Sequence, residues 1–271
     1  MSYKIGFIGS GNMAYALING LTKNNPNMKS NIYITDKDKE KTLSLREQFN
    51  INISHNNTDL VNQSDIIFLA IKPNIYPIVL DEIKSLVTNK KILISIAAGI
   101  SINSIEKYFF NEVKLVRTMP NTPALVLEGM TAVTPNKNIN KEELNYILSL
   151  FESVGKADII DESLMDMIPA ISGSSPAYVY MFIEALADGA VLQGMPRDKA
   201  YTYAAQAVLG AAKMVAETNL HPGDLKDRVC SPGGTTIQAV FSLEKNQFRG
   251  TIIDAMNACT DKAKLLSSIK K

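Results

Sequence analysis

The chain has 271 residues, 46% of them hydrophobic and 20% charged, with a net charge of +1. This composition excludes disorder as the main state, which needs low hydrophobicity and high net charge, and it gives no electrostatic reason to expect a nucleic-acid partner. Two cysteines, Cys230 and Cys259, are too few for a disulfide framework, a strand-like run starts directly after Met1-Ser2-Tyr3-Lys4, and no apolar run reaches membrane-spanning length. The expectation is a cytoplasmic protein with no leader and no membrane anchor.

The first half alternates two periodicities. Lys4 to Ile8, uncharged after Lys4, reads as a strand buried on both faces. Gly9-Ser10-Gly11 turns the chain, and Met13, Leu17, Ile18 and Leu21 then recur at helical spacing. Asn31 to Thr35 is a second strand, rich in β-branched and aromatic residues. Asp38 to Phe49 is a charged surface helix, and Asp65 to Ala70 a third buried strand, stopped by Lys72-Pro73. Tyr76 to Val87 is helical, Lys91 to Ala97 a fourth strand, Ser101 caps a helix to Phe110, and Val113 to Arg117 is a fifth strand. Strand and helix in alternation imply a mostly parallel sheet covered by helices.

After Pro135 the pattern changes. Lys141 to Val154 is an amphipathic helix and Lys156 to Ile160 a last strand; from Ser163 no strand signal survives. A boundary near Asp161 to Met165 gives an α/β domain over residues 1–162 and an all-helical one over 163–271. Ala177 to Leu192 is apolar on nearly every face, broken mainly by Glu184 and Asp188, and Tyr203 to Ala216 is packed with Ala and Gly. A helix apolar all round must be covered on all sides. In so small a domain this points to a subunit partner, with a tight monomeric bundle as the alternative.

Gly9-Ser10-Gly11-Asn12-Met13-Ala14 has the form G-x-G-x-x-A and sits between the first strand and the first helix, the context that makes it a dinucleotide-binding turn of Rossmann type. Gly9 permits the tight turn, Gly11 lets the backbone approach a pyrophosphate, and Ala14 lets the helix pack close. The helix N-terminus then offers free N–H groups and a partial positive charge. Asp36 ends the second strand, where a carboxylate accepts from a ribose 2′-hydroxyl. That favours NADH. Lys37, Lys39 and Lys41 follow and could hold the 2′-phosphate of NADPH, so the choice stays open. The expected outcome is that Asp36 penalises NADPH in the ratio of kcat/KM values; a strong NADPH preference would contradict it. Ala70-Ile71-Lys72-Pro73 lies at the carboxyl edge of the sheet, where open parallel sheets bind ligands. Asn57 either reaches the adenosine half or is an ordinary loop residue.

Three further stretches stand out: Met119-Pro120-Asn121-Thr122-Pro123 after the fifth strand, Ser172-Gly173-Ser174-Ser175-Pro176 before the apolar helix, and Ser231-Pro232-Gly233-Gly234-Thr235-Thr236 opening a helix to Leu243. The last combines exposed N–H groups with hydroxyls, which suits a carboxylate or phosphate. A helix cap alone needs only one Ser or Thr. The two histidines, His55 and His221, read as surface residues, and Cys and His are too scattered to hold a metal. No lysine lies on the first turns of the helix from Ala177, where β-hydroxyacid dehydrogenases carry their acid/base lysine. Carbonyl reduction makes an alkoxide that needs a proton donor. A C=N bond already protonated on nitrogen needs only positioning and an anion site.

These motifs, with Arg117-Thr118 before Met119 and Leu225 to Cys230 before Ser231, resemble the pyrroline-5-carboxylate reductases across nearly the whole chain. The resemblance implies NADPH or NADH as cofactor and reduction of 1-pyrroline-5-carboxylate to L-proline. It also implies a homodimer joined through the helical domains, assembling further into a decamer of five dimers, with one subunit's nicotinamide facing the partner's helical domain. By resemblance, Ser231, Gly233, Gly234 and Thr235 cradle the substrate carboxylate, the Thr236 hydroxyl lies near the ring nitrogen as the catalytic group, and Ser174 and Met119 complete the substrate site. Ile8, Gly9, Ser10, Gly11, Asn12, Met13, Asp36, Lys37, Asn57, Ala70, Ile71, Lys72, Pro73, Pro120 and Asn121 hold the cofactor. Two departures stand against the family pattern: Ser175 replaces a usual glycine, and Asp36-Lys37 replaces an Asn-Arg pair. Two other readings remain: a different imine or carbonyl reductase, which would turn over a ketone faster than the cyclic imine, and a non-catalytic NAD(P) sensor, which would bind NAD(P)H and oxidise none.

Overall fold

The computed structural model describes residues 3–268, so Met1 and Ser2, at the start read above as leaving no space for a leader, lie outside the described residues. Among these residues the elements run β1 (Ile5–Ile8), α1 (Asn12–Asn24), β2 (Ile32–Thr35), α2 (Lys39–Phe49), β3 (Asn52–Ile53), α3 (Asn57–Gln63), β4 (Ile66–Leu69), α4 (Tyr76–Ile83), β5 (Ile92–Ser95), α5 (Ile102–Glu106), β6 (Lys114–Met119), β7 (Gly129–Pro135), α6 (Lys141–Glu152), β8 (Gly155–Ile159), α7 (Ser175–Leu192), α8 (Arg197–Thr218), α9 (Pro222–Val229), α10 (Thr235–Lys245) and α11 (Phe248–Ser268). Contacts divide the chain into two units, residues 1–174 with 259–271, and residues 175–258.

The strands form one sheet in the order β3-β2-β1-β4-β5-β6-β7-β8, parallel throughout except for the antiparallel pair β6–β7. The chain works outward from β1 in one direction and then returns to place β4 on its other side. This reversal between β1 and β4 is the switch point at which a doubly wound sheet opens a crevice. Every residue of β1 and β4 is buried, as their uninterrupted apolar runs predict. Helices cover both faces. One core gathers Phe7, Phe68, Leu17 and Phe151, with the Phe7 and Phe68 rings stacked at 4.7 Å; the other gathers Leu69, Tyr76, Leu80 and Leu115. Each such side chain contributes about 1.5–3 kcal/mol on burial.

Local signals set several boundaries. Asp38 caps α2 by accepting from the Lys41 N–H, and Ser101 caps α5 as expected. Asn140 and Glu143 form a reciprocal capping box at α6. Helix α5 ends at Glu106, one turn short of the expected Phe110. Elements β3, α3, β7, α9 and α11 were not expected. Strand β3 has only two residues, too few for a period, and β7 mixes Gly, Met and Ala among its β-branched residues.

Between β7 and β8, Gly129 and Gly155 are register partners. A Cβ on Gly155, whose φ is +148°, would stand 2.0 Å from the Gly129 carbonyl oxygen, so the backbones touch with no space for a side chain. After β8, Glu162 and Asp166 turn back to Arg117 on β6. The guanidinium donates to Glu162 Oε1 at 3.2 Å and to Asp166 Oδ1 at 2.9 Å. Glu162 Oε1 also accepts from the Ile102 N–H, and Asp166 Oδ1 from the Ser267 hydroxyl.

In the second unit, α7 and α8 pack around Ala187, Ala200 and Ala204. Asp188 on α7 pairs with Arg197 at the start of α8. Of α7 only Ala187 is fully buried; Tyr180 and Met181 are 61% and 70% exposed. The apolar girth read from the sequence is therefore largely uncovered in a single chain.

Candidate functional site

At the carboxyl ends of β1, β2 and β4 lies a cleft of about 300 Å³, a size that suits part of a small-molecule ligand. Of the residues expected at a nucleotide, Ile8, Gly9, Gly11, Asp36, Lys37, Asn57, Ala70, Ile71 and Lys72 line it. Thr35, Ile75 and Val79 line it too and were not foreseen; nothing but helical spacing from Tyr76 pointed to Val79. Lys41 also reaches the cleft. Ser10 lies beneath the turn and is buried, while Asn12 is exposed and Met13 half-buried on the first turn of α1. Pro73, which does not line the cleft, opens the short 3-10 turn Pro73–Ile75.

Backbone geometry forces the glycines. Gly9 adopts φ +104°, its N–H donates to the Thr35 carbonyl at 2.8 Å, and a Cβ there would stand 2.3 Å from the Ala70 oxygen. Gly11 meets nothing within 4 Å where a Cβ would lie, and that space belongs to the cleft. Helix α1 starts at Gly11 with no side-chain cap and no acidic residue in its first turn. Its first N–H groups are thus available to an anion. These features fit the pyrophosphate of NAD(P).

Asp36 is tied to the turn. Its Oδ2 accepts from both the Ser10 N–H and the Ser10 hydroxyl, each at 2.7 Å, and its Oδ1 accepts from the Asp38 N–H at 3.0 Å. Burial raises the Asp36 carboxyl, but the hydrogen bonds from Asp38 and Ser10 and the charge of Lys41 outweigh it and hold the group below its ordinary value. It is therefore an anion at neutral pH. Asn57, at the start of α3, donates to Glu82 Oε2 at 2.7 Å. Lys39 donates to the His55 carbonyl and Lys41 pairs with Asp38 at 3.3 Å, so two of the lysines following Asp36 have local partners.

Beneath this edge runs a buried polar chain that the sequence did not reveal. The Tyr76 hydroxyl donates to the Leu69 carbonyl and accepts from Ser95, and Thr118 donates to the Ser95 carbonyl. Burial raises the Tyr76 hydroxyl far above its ordinary value, against the opposing bonds from Ser95, Ile96 and Ala97, so it stays neutral.

The stretches around Met119 to Pro123 and Ser172 to Ser174 meet within the first unit. Asn121 donates to the Ser172 carbonyl at 2.9 Å and accepts from the Met130 N–H at 2.8 Å. Its carboxamide is thus engaged at both ends, by Ser172 and by Met130 on β7. Met119 packs on Gly173, where a Cβ would stand 3.1 Å from its Cε. Pro120 is buried beside them. Pro169–Gly173 form a single π-helical turn closed by the Ser174 N–H to the Pro169 carbonyl, and the Ser174 hydroxyl accepts from the Cys259 thiol at 3.4 Å. Single π turns of this kind recur at functional sites.

In the second unit, Ser231 to Gly234 make a tight turn closed by the Gly234 N–H to the Ser231 carbonyl at 3.0 Å, with Gly233 at φ +68°. Gly234, which has no side chain, holds the N-cap position of α10, so neither Ser231 nor the threonines stand there. The hydroxyls therefore do not serve as caps, which removes the plain reading of this stretch. Ser231, Gly233 and Thr235 are exposed; Gly234 and Thr236 are half-buried. Both histidines are exposed, and among the described residues no group of three or more His, Cys, Asp or Glu is placed to hold a metal. Among them, too, no helix is long and apolar enough to cross a membrane.

Known proteins carry the same layout. A family model described as pyrroline-5-carboxylate reductase dimerisation matches residues 162–266, and one described as NADP oxidoreductase, coenzyme F420-dependent, matches residues 4–99. The chain is 47% identical to a pyrroline-5-carboxylate reductase of Escherichia coli (strain K12) over 98% of this chain and 99% of the relative. A solved pyrroline-5-carboxylate reductase from Coxiella burnetii superposes with a TM-score of 0.93 at 34% identity, covering 98% of this chain and 99% of that one. A pyrroline carboxylate reductase from Plasmodium falciparum, solved with NADP bound, superposes at 0.86 with 37% identity, covering 98% of each. Sequence, fold and site agree: the chain belongs to the pyrroline-5-carboxylate reductase family.

Proposed function

We propose that this chain is an NAD(P)H-dependent reductase that converts 1-pyrroline-5-carboxylate to L-proline. The observation that carries the reading is the β1–β4 cleft, which gathers the glycine turn, Asp36 and the Ala70 to Lys72 edge in one place. When bound there, the dinucleotide supplies a hydride to the C=N carbon. The uncapped start of α1 holds the pyrophosphate, and Asp36 meets the adenosine ribose. Met119 and Pro120, fixed through the Asn121 bond to Ser172, frame the nicotinamide side, with Ser174 beside them.

The start of α10, with Gly234 at its cap position, suits the substrate carboxylate, held by Ser231, Gly233, Gly234 and Thr235. The Thr236 hydroxyl sits one residue further and steadies the ring nitrogen. Because the imine nitrogen is already protonated, hydride addition neutralises a charge and leaves no alkoxide, so no acid with a tuned pKa is needed. The test is oxidation of NADH and NADPH in parallel with the cyclic imine; absence of turnover with both sinks the reading. Thr236→Ala is expected to lower kcat/KM for the imine by about ten- to a hundredfold, one lost hydrogen bond in the transition state, while leaving the Kd for NADPH unchanged. Unaltered kinetics would remove Thr236 from the mechanism.

Residues 1–162 form the proposed dinucleotide-binding domain and 163–271 the helical domain for substrate and dimerisation, a division supported by the family match beginning at residue 162. A homodimer through the helical half is supported by the exposed apolar residues of α7, Tyr180 and Met181 among them. Assembly of five dimers into a decamer rests on the family resemblance, and the mass in solution decides it. A cytoplasmic setting is supported by Cys230 and Cys259, both free.

A further inference from the structure

We propose that Ser10 sets the selectivity between NADH and NADPH by occupying one oxygen of Asp36. This rests on the function proposed above and adds to it a residue that controls cofactor choice. A carboxylate oxygen offers two good acceptor positions. On Asp36 Oδ2 both are filled, by the Ser10 N–H and the Ser10 hydroxyl at 2.7 Å each. On Oδ1 one is filled, by the Asp38 N–H. One acceptor position is left for an adenosine ribose that presents two hydroxyls. Asp36 therefore meets NADH with one of its four acceptor positions, and its charge is partly spent on Ser10. Ser10 is only 7% exposed, so its hydroxyl has little access to water as an alternative partner.

The same cleft carries cations able to receive a 2′-phosphate. Lys37 and Lys41 both line it, and Lys41 is held by Asp38 at 3.3 Å through two exposed groups, a bond that water weakens. A muted carboxylate beside available lysines accepts either cofactor. Removing the Ser10 hydroxyl returns an acceptor position to Asp36 and concentrates its charge, which strengthens a hydrogen bond from a ribose hydroxyl and increases repulsion of a phosphate.

The experiment is a double-mutant cycle on the full-length, assembled protein. Kd values for NADH and NADPH are read from the fluorescence of the dihydronicotinamide, for wild type, Ser10→Ala, Asp36→Asn and the double variant, with Ser10→Gly as a second way to remove the hydroxyl. Ser10→Ala and Ser10→Gly are each expected to shift the NADPH-to-NADH Kd ratio about three- to tenfold toward NADH, the size of one ordinary hydrogen bond. In the Asp36→Asn background, removal of the hydroxyl is expected to leave the ratio within twofold. An unchanged ratio, a shift toward NADPH, or an equal shift in both backgrounds overturns the inference. Imine reduction is assayed alongside. Binding of both nucleotides without turnover overturns the proposed function alone, and binding of neither overturns both.

Discussion

Gly9→Ala is expected to lower the stability of the sheet-containing unit by about 3 kcal/mol and to abolish nucleotide binding with it, whereas Gly11→Ala should leave stability within about 1 kcal/mol and still weaken NADPH at least tenfold. The two glycines sit two residues apart and fail for different reasons. At Gly9 the backbone has φ +104° and a new Cβ would enter the Ala70 carbonyl at 2.3 Å, so β1 and the turn must shift. At Gly11 the backbone is extended, with φ −73° and ψ 180°, and the Cβ meets no protein atom. What it meets is the space into which the first N–H groups of α1 open. Urea denaturation and NADPH titration of both variants separate the effects. A stable Gly9→Ala would show that the turn relaxes, and a Gly11→Ala variant with native affinity would remove the start of α1 from the nucleotide site.

The second large effect is expected at Arg117. Its side chain is 6% exposed, while those of Glu162 and Asp166 are 35% and 33% exposed. Breaking a fully buried ion pair costs about 3–5 kcal/mol, and because both carboxylates reach water, Arg117→Met is expected to cost about 2–3 kcal/mol. Arg117→Lys should recover part of this, since one ammonium cannot present the planar fork that meets two acids at once. The check is urea denaturation by circular dichroism together with limited proteolysis across residues 160–168. An Arg117→Met protein as stable and as resistant as wild type would show that the tie contributes nothing.

Much of the nucleotide half could be read in the residues because its signals are local. Uninterrupted apolar runs mark β1 and β4, and the glycine turn falls between a strand and a helix, so its chemistry follows from position. The strands that escaped are those whose cause is tertiary. Strand β7 exists because β6 offers it an antiparallel partner, and β3 because β2 offers two residues of edge. The Tyr76–Ser95–Thr118 chain joins residues far apart in sequence, and no spacing announces it. The engagement of Asn121 between Ser172 and Met130 is likewise invisible in the motif that contains it. The stretch from Ser231 to Thr236 was legible as an excess of donors over what a cap needs, and the structure puts a glycine, not one of its hydroxyl residues, at the cap position of α10.

The contact between Gly129 and Gly155 acts as an alignment key. Strand β8 is an edge strand of five residues, short enough to pair in more than one way if hydrophobic pattern alone guided it. Sliding it by one position would drive Val154 or Lys156 into a gap that accommodates only a bare backbone. The same slip would carry the following segment about 3.3 Å along the sheet, far enough to pull Glu162 and Asp166 off the Arg117 fork. Two residues without side chains thus decide whether three charged ones can find each other.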